Sequence, residues 1–127
     1  MLYFILINIF SVVDGSSENM PQKERLISRI ESFYNNWKEN KYEICWGFFL
    51  KESGVLDKES FVNNFKQMPS VDKYKIISFE MKDDTVKVKM STNLIENGKD
   101  LLGADISYDY WIFKNNEWYL YDFFKIK

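Results

Sequence analysis

From residue 22 onward the apolar positions recur first every three to four residues and later every two. Leu26, Ile27, Ile30, Phe33, Tyr34 and Trp37 form one stripe, with Lys23, Glu24, Arg29 and Glu31 on the opposite side. This spacing predicts an amphipathic helix over 22–38, with Pro21 suited to its start. Lys38 to Lys41 is a polar break. Tyr42, Cys45, Trp46 and Phe49, widened by Ile44, Phe48 and Leu50, predict a second helix over 41–52, which Ser53-Gly54 would end. Asp57 suits the N-cap of a short third helix over 58–67, with Phe61 and Phe65 one turn apart and Pro69 as its stop.

Beyond Tyr74 the period falls to two. Val86, Val88 and Met90 alternate with lysines, and Asp83-Asp84, Asn97-Gly98 and Asn115-Asn116 each suit a tight turn between strands. Three helices followed by a four-stranded antiparallel meander give an α+β fold. Two-residue turns also set the faces. The turn at Asp83-Asp84 places Phe79, Met81, Val86 and Val88, with Ile77 and Met90, on one side. The turn at Asn115-Asn116 places Asp109, Trp111, Phe113, Trp118, Leu120, Asp122 and Phe124 together, and Tyr108, Tyr110, Ile112, Tyr119, Tyr121 and Phe123 opposite. A single bulge near Gly103 would exchange the faces of the long strand.

The first thirteen residues, MLYFILINIFSVV, carry no charged side chain. As a helix they would span ~20 Å, short of a ~30 Å hydrocarbon core, and their length fits the apolar region of a signal peptide. Residues 1–15 are therefore expected to be a signal peptide or short anchor, 16–21 a linker, and 22–127 one domain. The alternative is a strand or helix docked on that domain. No Lys or Arg precedes the run, and no cysteine follows it for lipid attachment.

Composition removes much chemistry. With no histidine, Ser-His-Asp and Cys-His nucleophilic sites and His-based metal sites are excluded. The single Cys45 excludes an intrachain disulfide and reads as a small core residue. Acidic residues outnumber basic ones 19 to 17, and the lysines are dispersed, so nucleic acid is not an expected partner. Asp83 and Asp84 form a turn, and Glu96, Asp100 and Asp105 border a hairpin with too few oxygen ligands in one loop for a metal, so no metal site or cofactor is expected.

These elements resemble the nuclear-transport-factor-2-like superfamily, whose cone-shaped, cystatin-like or ketosteroid-isomerase-like fold wraps a curved sheet around helices. The resemblance covers about 22–125. It rests on Tyr42 and Trp46 in the second helix, on Glu59-Ser60-Phe61 to Phe65, and on the closing Asn115-Asn116-Glu117-Trp118-Tyr119-Leu120-Tyr121-Asp122-Phe123 segment. The nearest members are small secreted or lipoprotein domains of unknown function. The resemblance implies helices packed in the concave face of a curved, mostly antiparallel four-stranded sheet. Trp118 and Leu120 would then point inward, and Trp37, Trp46, Phe49, Trp111, Trp118 and Leu120 would line an apolar pocket able to take a small apolar ligand.

Two readings of function follow. The first is a noncatalytic, extracytoplasmic binding or assembly module, touching a membrane only through an uncleaved N-terminal segment. Its contact surface is Tyr108, Tyr110, Tyr119, Tyr121 and Phe123, an aromatic outer face suited to a homodimer; the alternative is that the same chain covers that face. The second is a small isomerase- or dehydratase-like enzyme. Asp109 and Asp122 fall opposite each other on the inner face, where like charges raise one carboxyl's pKa toward that of a general base. The competing reading puts both carboxylates in solvent at the cone mouth or under Tyr or Trp donors of the helices. That competing reading favours the first; an apolar cavity with a buried, pKa-raised Asp would favour the second. If the N-terminal run is a leader or anchor, a chain beginning at Met20 should remain soluble and keep a cooperative thermal transition. Loss of that transition would make the run part of the domain.

Overall fold

The computed structural model describes residues 22–53 and 57–121. The apolar run 1–13, the linker, Asp122, Phe123 and Phe124 lie outside them. Helix α1 spans Lys23–Lys38, α2 spans Tyr42–Trp46 and α3 spans Lys58–Lys66. Strands β1 (Ser70–Lys82), β2 (Thr85–Glu96), β3 (Lys99–Lys114) and β4 (Glu117–Leu120) follow. They pair antiparallel in the order β1-β2-β3-β4, giving a curved open sheet with helices packed on it.

The expected stripe of α1 is buried through Leu26, Ile30, Phe33, Tyr34 and Trp37. The helix closes in a Schellman turn: Asn40, at φ 62°, donates its amide to Trp37, and Lys41 donates to Asn36 at 2.8 Å. The α3 cap forms as expected, the Asp57 side chain accepting the Ser60 amide at 2.9 Å. The second helix is shorter than its apolar pattern predicts. It ends at Trp46, because the chain then extends along β4: Leu120 donates its amide to the Phe48 carbonyl at 2.7 Å, and Leu50 donates to the Leu120 carbonyl at 2.8 Å. A 3-10 turn, Lys51–Ser53, completes the segment. A continuous apolar run here serves strand pairing, which helical periodicity alone does not distinguish from a buried helix.

The sheet keeps most of the expected register. Met81 faces Val86, Phe79 faces Val88, and Phe113 faces Trp118. One inward position is corrected. A bulge at Ile77 makes Ile76, not Ile77, the partner of Met90. The cause lies in the strand's own sequence: Tyr74 and Ile76 are out of phase with Phe79 and Met81. The extra residue restores both pairs to the core side and leaves Lys73 and Lys75 exposed. A second irregularity, at Asp72, restores the phase for Val71. Gly103, at φ 73°, does sit in a bulge. Between Asn93/Ala104 and Ile95/Asp100 strand β3 uses four steps to two on β2. The excess of two is even, so the faces of β3 are kept.

Trp118 locks the sheet to α1. Its ring is fully buried, 5.0 Å from that of Phe113, and its indole N–H donates to the Gln22 carbonyl at 3.1 Å. Trp118→Ala should therefore cost ~3–5 kcal/mol, as truncation of a buried large aromatic does, measured by urea unfolding. A loss under ~1 kcal/mol would contradict this packing.

Candidate functional site

Among the described residues Asp109 is the buried carboxylate of the inner face, 3% exposed in a core that, Thr92 apart, is built of apolar and aromatic side chains. Its β3 position puts it on the same face as Trp111, under α1. Tyr34, from the α1 stripe, donates its hydroxyl to Asp109 Oδ2 at 2.5 Å. The phenol is fixed by neighbours: the Tyr74 ring stacks at 5.2 Å, Trp37 lies at 5.7 Å, and Phe33 meets it edge-on at 5.3 Å. Tyr74 is held in turn by donating to Asn35 Oδ1 at 2.8 Å. The pair therefore forms because a phenol on a buried helical stripe needs an acceptor and a carboxylate under a helix needs a donor.

Burial pushes the Asp109 carboxyl up to about 6, against the opposing hydrogen bond from Tyr34. Burial also raises the Tyr34 phenol well above its ordinary value, helped by the Asp109 charge and the hydrogen bond. A carboxyl at about 6 can exchange a proton near neutrality. Its access is restricted, because one oxygen is occupied by Tyr34 and the group is covered.

The other residues singled out from the sequence divide by location. Trp37, Phe49, Trp111, Trp118 and Leu120 are buried and belong to one packed cluster. Trp46 is half-buried at the surface, where Lys51 Nζ lies 3.9 Å above its ring and donates to the Trp46 and Phe49 carbonyls. On the outer face Tyr108 is 42% exposed and Ile106 47%, with Tyr110, Ile112, Tyr119 and Tyr121 half-buried. Cys45 is buried, and burial pushes its thiol up to about 12, far from a nucleophilic thiolate. Among the described residues no group of three or more Cys, Asp or Glu could hold a metal ion, and no helix is long and apolar enough to cross a membrane.

Two surface clefts accompany these features. One of about 390 Å³ lies beside the β1–β2 turn, where Tyr110 meets Glu80, Lys82 and Lys87. Another of about 340 Å³ lies between α2 and α3, beside Tyr42, Ile44 and Val62. Neither is lined by Asp109 or by the residues expected to form the pocket.

Arg29 departs from its expected place on the solvent side. It is half-buried at the β4 edge, donating Nε to the Trp118 carbonyl at 3.0 Å. Its position three residues after Leu26 and four before Phe33, flanking the stripe, was the signal in the sequence.

The fold has a known counterpart. A Campylobacter jejuni protein, provisionally assigned as an NTF2-like transpeptidase, aligns with a TM-score of 0.50 over 76% of this chain and 96% of its own, at 13% identity. The likeness establishes an NTF2-like fold. No sequence family matches the chain, and no curated protein matches it.

The Asp109 geometry has a measurable consequence for stability. The folded-state value of about 6 lies above the ordinary 3.8, so the folded chain holds this proton more tightly. The resulting stabilisation is fully present below about pH 4 and is lost as pH rises through about 6. The interval corresponds to ~3 kcal/mol at most. Asp109→Asn, which keeps an acceptor for Tyr34, should flatten the pH dependence of unfolding free energy between pH 4 and 7. An unchanged slope in urea titrations would show that Asp109 titrates normally.

Proposed function

We propose that this NTF2-like chain is a noncatalytic binding and assembly module that acts outside the cytoplasm and associates with a second copy through the outer face of β3 and β4. The observation that carries the reading is the side-chain content of that face. Ile106, Tyr108, Tyr110, Ile112, Tyr119 and Tyr121 occupy the side where a solvated strand normally carries charge. Tyrosine suits an interface because its ring buries apolar area while its hydroxyl keeps a polar partner.

The edges of the sheet favour contact by faces over addition of strands. On the outer edge of β4, the Trp118 amide donates to Glu117 Oε1 and its carbonyl accepts from Arg29. Leu120 is paired with Phe48 and Leu50. At the other edge, β1 is interrupted by two bulges and carries Lys73, Lys75 and Lys82 exposed, features that discourage pairing with another strand. The acid–base alternative has less support, since Asp109 is covered and engaged by Tyr34. Export rests on the apolar run 1–13.

A two-fold contact makes the same patch meet itself, and ~800 Å² per partner suffices for a specific dimer. Tyr110→Lys or Tyr121→Lys would bring like charges together near the axis. Sedimentation should give a wild-type dimer and a variant monomer at tens of micromolar; a monomeric wild type would overturn the homodimer.

A further inference from the structure

The β4 edge also carries an unbalanced charge. Arg25 Nη2 and Arg29 Nε approach the same oxygen, Glu117 Oε1, at 3.4 and 3.7 Å. Among the described residues, two guanidinium groups thus share one carboxylate, leaving one positive charge unmatched. Arg25 also donates to the Asn116 carbonyl at 2.7 Å, which ties it to the β3–β4 turn.

Arg29 is the better-formed half. Its Nε is committed to the Trp118 carbonyl, which fixes the plane of the group. Its guanidinium carbon lies 4.4 Å from the Phe48 ring centroid and 5.6 Å from that of Tyr119. The two terminal nitrogens make no hydrogen bond to any described residue. Half-burial lowers the pKa of Arg29, with Glu117 acting in the opposite sense and Arg25 adding to the lowering. The side chain is therefore a cation partly removed from water, held rigid, with donors unused. A terminal fork of this kind matches the two oxygens of a carboxylate.

We propose that the Arg29 fork, with Arg25 beside it and the Phe48 and Tyr119 rings as walls, binds a monocarboxylate carried on an apolar or aromatic body. One unmatched positive charge calls for a monoanion, and a phosphate dianion overcompensates it. The half-buried Tyr119 ring supplies area for the apolar body, while the buried Phe48 ring backs the guanidinium. This inference does not depend on where the chain acts; because Tyr119 also lies on the proposed self-association face, the titration is repeated on Tyr121→Lys, which leaves that face open.

The test is titration of the ¹⁵N-labelled protein with phenylacetate, followed by NMR. Saturable shifts are expected at the Arg29 Nε–H and at the Phe48, Trp118 and Tyr119 amides. Acetate lacks the body and benzyl alcohol the charge, so each should bind more weakly, as should inorganic phosphate. Glu117→Gln removes the competing carboxylate and should tighten phenylacetate binding several-fold. Arg29→Lys keeps the charge but loses the fork and should weaken it about tenfold. Benzyl alcohol or phosphate binding as well as phenylacetate would overturn the proposal, as would shifts confined to other surfaces. Glu117→Gln without tighter binding would also overturn it, and this variant decides the matter if Arg29→Lys fails to fold.

Discussion

The Phe33 ring lies within 6.4 Å of six described aromatic rings: Tyr34, Trp37, Phe48, Phe49, Phe65 and Trp111. Those six belong to α1, the extended segment after α2, α3 and the inner face of β3. Each element is short or open on its own, and a sheet this curved needs a cover for its inner face. Phe33 is where that cover and the sheet meet. Edge-on and tilted ring contacts dominate the cluster, the arrangement favoured by aromatic quadrupoles. Because the rings interlock, α1 cannot slide along the sheet without disturbing several contacts at once.

Within this apolar setting the described residues include one buried carboxylate, Asp109, satisfied by one phenol, Tyr34. A buried hydrogen-bonded pair of this kind adds a directional constraint to the ring packing, since a hydrogen bond depends on angle as well as distance. The arginines do similar work at the opposite flank of α1. Arg25 and Arg29 reach the β3–β4 turn and the backbone of β4, so the helix is held from both sides.

The fold was legible because its signals are local. The α1 stripe, the Asp57 cap and the three two-residue turns each follow from a few adjacent residues; the last turn puts Asp109, Trp111, Trp118 and Leu120 on one face, and the family resemblance makes that face the inner one. The departures arise where distant partners decide. Phe48, Phe49 and Leu50 are as apolar as a helix requires, yet β4 recruits them as a strand-like segment. The bulge at Ile77 reconciles two out-of-phase runs, which pairwise turn arithmetic does not register. The candidate site was legible in part: the inner placement of Asp109 was readable, whereas the identity of its donor was not. Tyr34 sat in an apolar stripe and looked like any other core ring, and only three-dimensional contact shows that its hydroxyl meets the carboxylate.

The Gly103 bulge bears on how this sequence can change length. It adds two residues to β3, and two is the repeat of a strand. Insertions or deletions of two residues there leave Asp109 and Trp111 inside and Tyr108 and Tyr110 outside. A change of one residue needs the bulge itself to take up the odd step, as the single-residue bulge at Ile77 does in β1, if Trp111 is to stay inside. The hairpin tip can therefore change length by even steps without remaking the bulge, whereas odd steps require it to be remade.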